Sequence, residues 1–500
     1  MKLSEISEKI RNSSLKYEIE FSDDVEITGL CYDSRIVKPG DIFFAVKGLI
    51  SDGNKFIKEA IERGAVIVFT DDDNFSESEM PVIKVDDVRK IMALMSGIFY
   101  EDPSSKLKLI GVTGTNGKTT TAYLMHALLS NAGYKTGLIG TIECLIGNEK
   151  IESKLTTPDS VELNMILNKM VNEKTEFCVM EVSSIALSME RVYGLKFDTA
   201  VFTNLTSEHL DFHKDMENYF EAKKILFDNL DEDSNSVSNK DDEYGQRILS
   251  ETKAKKIFYS VDKVLESDED LKADDVKLGM DGINFNMIYR GENVNISSDL
   301  AGRFNVYNIL ASAGTVLNYN VSLESITEVL NNFSGVTGRF NRIPLPNGAV
   351  AVIDYSHTSD SLKNAIEAAK EIIKDENKNG SLITIFGCGG NKDRFKRPVM
   401  GKYATELSDF TIITSDNPRF EEPMDIIEEI KKGISEEAEY KVIENREEAI
   451  KAGIGLAVAG DIILICGKGH ETYQEIKGVR SHFDDKEIVL KYQNLSLKNA

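Results

Sequence analysis

Residues 111–121, GVTGTNGKTTT, bring glycines, a lysine and a run of hydroxyls together directly behind the apolar run LKLI. These residue types hold phosphate. Gly114 and Gly117, with Thr115 and Asn116 between them, allow close backbone approach; Lys118 supplies a cation, Thr119 a hydroxyl for Mg2+, and Thr120 extends the hydroxyl run. The helix expected to follow turns its N-terminus toward the anion. The spacing is not that of a strict phosphate loop, because Val112 stands where the first glycine would be. Mg2+ also takes hard ligands such as carboxylates. Glu181, at the end of an apolar run, and His209, in TNLTSEHLDFH, are candidates.

These residues need elements to place them. TGTNGKT, EVSS, TNLTSEH, DYSH, GCGGNKD, SDNPR and GKGHE each follow directly on a strand-like run. Ligand sites in open parallel sheets lie at the carboxyl ends of strands. Apolar strands alternating with helices predict an α/β chain whose parallel sheets are covered on both faces. Polar, proline-containing EDPSSK at 101–106 forms one joint, and glycines and prolines gather at another near 335–347. The expected domains are a smaller α/β domain over 1–105, a central P-loop ATPase-like parallel sheet over 106–338 and a Rossmann-like domain over 339–500. The acidic stretch DNLDEDSNSVSNKDDEYG, 228–245, reads as a solvated loop.

With 59 basic and 83 acidic residues, the net charge of −24 argues against non-specific binding to nucleic acid or an anionic membrane. An anionic small substrate stays possible, since local cations decide that. The start, MKLSEISEKIRNSS, lacks a leader's apolar core, and no stretch approaches the ~18 apolar residues of a membrane span. Cys31, Cys144, Cys178, Cys388 and Cys466 are scattered, without metal-type pairs or a disulfide frame. They are expected to be small buried hydrophobes in a chain of the reducing cytoplasm.

GTNGKTT, MEVSS, TNLTSEHLDFH, YFEAKKILF, GRFNVYN, GVTGR, DYSHTSDSL, GCGGNKD, KRPVM, SDNPR and GKGHETYQ occur in that order. Together they resemble the Mur ligase family, and within it the members that add the third residue to a UDP-muramoyl-dipeptide. YDSRIVKPGDIFFAVKG, near the start, is similar to that group's uridine-nucleotide domain. The resemblance spans nearly the whole chain. It implies that ATP phosphorylates the D-glutamate side-chain carboxylate of UDP-MurNAc-L-Ala-D-Glu, and that an amine then attacks the acyl phosphate. Phosphate leaves an acyl carbon readily, whereas hydroxide does not. Both reactants are anions, so Mg2+, Lys118 and further cations would offset their repulsion. A cytoplasmic monomer is expected.

The family's site residues carry over by position. Thr119, Glu181 and His209 resemble the metal shell, and Lys223 in YFEAKKILF matches a carbamylated lysine, N6-carboxylysine, whose anion supports a second Mg2+. Asn305 and Asn308, with Arg339, resemble nucleotide contacts, and Asp354 and His357 are expected to reach the same ATP from the C-terminal domain. Ser34 is expected to meet the uridine nucleotide; Thr156, Thr157, Ser183 and Arg191 are expected to hold the muramoyl-dipeptide. Departures stand at Ile185, Met189 and Glu208, where members often carry histidine, glutamine and aspartate.

SDNPR bears on the incoming amino acid. Meso-diaminopimelate ends in an ammonium and a carboxylate, whereas L-lysine ends in an ammonium alone. Arg419 offers a fork for that carboxylate and would repel a lysine tail. DNPR resembles the diaminopimelate-adding members, with Asp416, Asn417 and Pro418 completing the contact, Glu471 facing the distal ammonium and Gly467 lining the pocket. Lys392 stands where those members carry an arginine, keeping the charge without the fork. The same ligase adding L-lysine and, in a different class, a non-catalytic nucleotide-binding protein are the alternatives.

Overall fold

The computed structural model describes residues 1–11, 24–48, 51–72, 82–279, 281–375 and 380–498. Among them the strands form three larger sheets and one hairpin. Strands Gly29–Cys31, Asp41–Phe44, Ile67–Thr70 and Val82–Lys84 lie parallel in chain order. Successive side chains point to opposite faces. Ile42, Phe44 and Phe69 pack with helix Val88–Phe99, while Phe43 and Val68 pack with Ile57 and Ala60 on the other side.

The second sheet has eleven strands. Its centre is parallel, in the order Lys255–Ser260, Asn235–Asn239, Thr199–Phe202, Lys108–Thr113, Phe177–Glu181 and Thr136–Ile139. The edges depart from the all-parallel expectation: Leu271–Gly279, Gly282–Tyr289 and Glu292–Ser298 form antiparallel pairs on one side, and Thr136–Ile139, Glu143–Ile146 and Glu149–Glu152 do so on the other. Gly282–Tyr289 explains why. Ile283, Phe285 and Met287 are buried, whereas the alternate residues are only half-buried, as suits a one-faced sheet.

The stretch 228–245 is not a solvated loop throughout, because Asn235–Asn239 is an inner strand of this sheet. Its polar side chains are buried with partners. Ser236 donates to the Lys255 carbonyl at 3.0 Å, Ser238 to the Gly245 carbonyl at 2.6 Å, and Asn239 to the Thr203 carbonyl at 3.0 Å. A buried polar group tolerates burial when hydrogen-bonded.

The third sheet runs Asn341–Pro344, Val350–Asp354, Ile462–Cys466, Leu382–Phe386, Phe410–Ile413 and Tyr440–Val442, parallel except for its first strand. Strands Tyr473–Ile476 and Val479–His482 form the hairpin beside it. All five cysteines are free and buried. No described helix is long and apolar enough to cross a membrane. The carboxyl ends of strands from the second and third sheets open onto one cleft of about 640 Å3.

Candidate active site

Strand Lys108–Thr113 ends in the glycine turn and helix Lys118–Asn131 begins directly after it. Gly114 has φ +149° and Gly117 has φ +87°; a Cβ at Gly114 would lie 1.9 Å from Thr203 Oγ1 and one at Gly117 2.4 Å from Asn308 Oδ1. Only glycine fits either position. Thr115, Asn116, Lys118, Thr119 and Thr120 line the cleft. The Lys118 ammonium folds onto the loop, donating to the Gly114 carbonyl at 2.9 Å and the Thr115 carbonyl at 2.8 Å. Burial lowers its pKa, and the Glu208 and Glu181 carboxylates oppose that shift.

Glu181 closes strand Phe177–Glu181 and is 1% exposed. Its Oε2 accepts from Thr119 Oγ1 at 2.9 Å and from Thr141 Oγ1 at 3.0 Å; its Oε1 accepts from the Thr141 N–H at 2.8 Å. His209 has φ +56° and stands 3.8 Å from Glu208 through Nε2. Burial works against the Glu208 charge, yet His209, Lys118, His357 and Lys223 around it hold its carboxyl below the ordinary range. Lys223 is 1% exposed, donates to the Gly114 carbonyl at 2.8 Å and lies 4.6 Å from the Tyr219 ring centre. Burial, reinforced by Lys118, pushes its pKa well below the usual lysine value. Among the described residues, no three His, Cys, Asp or Glu side chains group as a ready-made metal cluster.

The third sheet supplies the opposite wall. Arg339 Nη2 donates to Thr119 Oγ1 at 3.0 Å, and its guanidinium lies 4.8 Å from the Tyr355 ring centre. Asp354 accepts from the Phe340 N–H at 2.8 Å and the Ser356 N–H at 2.9 Å, and His357 Nδ1 lies 2.9 Å from the Tyr355 carbonyl. Arg339, Asp354, His357 and Asn308 line the cleft. Asn305 does not. It lies behind, donating to the Ala301 carbonyl at 2.8 Å and accepting from Asn308 Nδ2 at 2.8 Å.

Thr156 and Ser183 also line the cleft. Thr156 Oγ1 is 3.1 Å from Thr141 Oγ1. Thr157 donates to the Glu181 carbonyl at 2.9 Å and accepts from the Ser183 N–H at 3.1 Å. Arg191 donates to the Thr157 carbonyl at 3.0 Å and pairs with Asp159 at 2.9 Å. Ser34 lies in the first sheet's domain, donating to Glu59 at 3.1 Å. It is outside the cleft.

The amino-acid candidates form a second cluster, at the ends of strands Leu382–Phe386, Phe410–Ile413 and Ile462–Cys466. Asn417 Nδ2 donates to Glu471 Oε2 at 2.8 Å, and Arg419 donates to the Gly390 carbonyl at 2.8 Å. Pro418 is buried between them, Asp416 is 7% exposed, and a Cβ at Gly467 would lie 2.5 Å from Asp416 Oδ2. Lys392 is exposed beside this cluster, with Arg419 among the cations around it. Burial raises the Glu471 pKa, Asp416 adds to that, and Lys468 opposes it.

The chain matches three family models: "Mur ligase family, catalytic domain" over 26–100, "Mur ligase middle domain" over 112–316 and "Mur ligase, glutamate ligase domain" over 338–469. It is 45% identical over 481 residues to the UDP-N-acetylmuramoyl-L-alanyl-D-glutamate--2,6-diaminopimelate ligase 1 of Clostridium acetobutylicum, covering 96% of this chain and 97% of the relative. The corresponding ligase of Clostridium botulinum is 44% identical over 481 residues, with 95% and 97% covered. The chain belongs to the Mur ligase family. Among solved structures, a UDP-N-acetylmuramoyl-L-alanyl-D-glutamate--2,6-diaminopimelate ligase superposes with a TM-score of 0.68 at 31% identity, covering 97% of this chain and 98% of that one.

In this Mur ligase, residues that the sequence does not single out also contact the candidate site residues. Thr141 gives Glu181 two hydrogen bonds, and it follows strand Thr136–Ile139 by two positions, so the strand-end rule could have found it. Asp360 Oδ2 accepts from Asn116 at 2.8 Å and from Thr206 at 2.7 Å, tying the third sheet's helix Ser359–Asp375 to the phosphate loop. That carboxylate lies within DYSHTSDSL, but nothing in the motif sets it apart from its neighbours. Lys468 lies inside GKGHE, between the candidates Gly467 and Glu471.

Proposed function

We propose that this chain joins meso-diaminopimelate to the D-glutamate of UDP-MurNAc-L-Ala-D-Glu with hydrolysis of ATP, in peptidoglycan precursor synthesis. The relatives that carry this name support the reaction, and the pocket chemistry supports the amino acid. The single observation that carries the choice is the Asn417–Glu471 hydrogen bond at 2.8 Å with Arg419 in the same loop. That pocket holds a carboxylate for an ammonium and a guanidinium for a carboxylate.

The bonds change as follows. A carboxylate oxygen of the D-glutamate side chain attacks the γ-phosphorus, and ADP leaves. The amine nitrogen of diaminopimelate attacks the acyl carbon, phosphate departs with that carboxylate oxygen, and the nitrogen loses a proton. Lys118 turns from its two carbonyls to the phosphates, and Arg339 closes on them from the third sheet. Closure of the two walls on the substrates would keep water from the acyl phosphate.

Mg2+ fits the donors present: Thr119 Oγ1 and Glu181 Oε2 are hard oxygens 2.9 Å apart beside the loop. Thr119, Glu181 and His209 would hold it, and it would offset charge between the two anions. Lys223 would join as a carbamate, because burial favours the neutral amine that adds CO2 and releases a proton.

The test is phosphate release from ATP with UDP-MurNAc-L-Ala-D-Glu plus meso-diaminopimelate, L-lysine or neither. Release with diaminopimelate alone is expected. Release with lysine alone overturns the amino-acid assignment, and release with neither amine overturns the ligase reading.

A further inference from the structure

Lys468 is fully buried at the end of strand Ile462–Cys466. Its ammonium donates to Asn417 Oδ1 at 2.9 Å and to the Tyr473 carbonyl at 2.6 Å. The Glu475 N–H donates to the same Asn417 oxygen at 2.9 Å. Neither an ammonium nor a peptide N–H can accept a hydrogen bond. Asn417 must therefore turn its oxygen toward Lys468 and its NH2 toward Glu471, where Nδ2 lies 2.8 Å from Oε2. The Lys468 nitrogen is itself 3.7 Å from that carboxylate oxygen.

We infer that Lys468 is the positioning residue of the amino-acid pocket, fixing which face the Asn417 carboxamide shows and holding Glu471 in place to take the distal ammonium. The inference rests on the function proposed above. A neutral residue at 468 would remove one of the two donors that hold the Asn417 oxygen, leaving the Glu475 N–H alone to keep it turned from Glu471. Burying a charged group is costly unless it is paired, so a lysine used only as packing would be a poor choice here.

Glu471 must be ionised to take an ammonium. Burial and Asp416 raise its pKa; Lys468, Asn417 and Arg419 oppose that. Tyr355, Tyr473 and Lys392 are the other titratable groups that face it from neighbouring elements. Removing the Lys468 cation moves the Glu471 pKa further up, so the acid limb of kcat/KM for diaminopimelate moves to higher pH.

The experiment measures kcat and KM for each substrate across pH for wild type, Lys468→Met and Asn417→Asp. For Lys468→Met, the expected result is a KM for meso-diaminopimelate raised about tenfold or more, with KM for ATP and for the UDP-dipeptide within about twofold, and an acid limb displaced upward. A merely structural lysine would lower the amount of active enzyme and leave the limb unmoved. If Lys468→Met does not fold, Asn417→Asp carries the test, because it keeps an acceptor for Lys468 and sets a carboxylate oxygen against Glu471. It must raise KM for diaminopimelate and move the limb upward. An unmoved limb in the folded variants overturns the inference, whereas a wild type inactive with diaminopimelate overturns the function beneath it.

Discussion

Arg339 Nη2 donates to Thr119 Oγ1 at 3.0 Å, and that same hydroxyl donates to Glu181 Oε2 at 2.9 Å. One threonine thus joins a guanidinium from the third sheet to a carboxylate from the second, beside the phosphate loop. The candidate nucleotide site is shared between two sheets. Arg339→Ala removes both this bond and the stacked face over Tyr355, so KM for ATP is expected to rise about tenfold with a fall in kcat. Arg339→Lys should restore little, because an ammonium cannot stack and donate in the same geometry. Steady-state kinetics with varied ATP check this, and unchanged constants would remove Arg339 from the site.

Lys118 is held by two loop carbonyls that a phosphate would displace as partners. Lys118→Ala should reduce kcat by about 10²–10³-fold, the cost of losing one preorganised charge at a transferring group. Circular dichroism should show an intact fold. A variant with near wild-type turnover contradicts the role.

The sequence makes the strand-end placement of Glu181, Asp354, Asn417 and Glu471 legible, because apolar runs followed at once by polar clusters mark where an open sheet presents its ligands. Asn235–Asn239 was not legible. Its burial depends on partners at Lys255, Gly245 and Thr203, and no periodicity in NSVSN reports them. Asp360 was missed for a related reason: its partners Asn116 and Thr206 lie on the opposite side of the cleft, far away in the chain. Asn305 illustrates the reverse. Its motif suggests a nucleotide contact, yet in the fold it supports Asn308 rather than lining the cleft.

Lys223 is a buried amine whose burial and proximity to Lys118 favour the neutral form. A neutral amine adds CO2. Activity should therefore fall in CO2-free buffer and return with bicarbonate, and labelled bicarbonate should give a carbamate signal that Lys223→Gln lacks. If CO2 depletion leaves turnover unchanged and no carbamate signal appears, the lysine acts as the bare amine.

Arg397 is fully buried and donates twice to Glu421, at 2.9 Å each, and once to Glu429 at 2.8 Å. These hydrogen bonds hold the Glu421 carboxyl at about 2, below its ordinary 4.5. The folded state thus binds that proton less readily than the unfolded chain. Its stabilisation is fully present above about pH 4.5 and is lost as pH falls through about 2. Glu421→Gln should cost about 2 kcal/mol at pH 7, and the difference from wild type should shrink between pH 4.5 and 2. Denaturant unfolding at several pH values reads this. A pH-independent difference would mean that the pair contributes packing rather than charge.

Arg419 sits at φ +52° after Pro418, and its N–H donates to the Glu475 carbonyl at 3.0 Å. The hairpin therefore pins its backbone, while Nη1 rests on the Gly390 carbonyl at 2.8 Å, a neutral acceptor that a carboxylate would outcompete. A fork used in this way discriminates by what it lacks when the wrong amino acid enters: L-lysine would leave the guanidinium without its anion and add a second cation beside it. Arg419→Ala should raise KM for meso-diaminopimelate about 100-fold, since a site built to hydrogen-bond one substrate rejects analogues strongly. The same change removes the repulsion of lysine, so the ratio of kcat/KM for the two amino acids should collapse toward unity even as both reactions slow. Competition between the two substrates, read by product mass, measures that ratio directly. A selectivity that survives Arg419→Ala would place the discrimination elsewhere, with Lys392 the next cation to test.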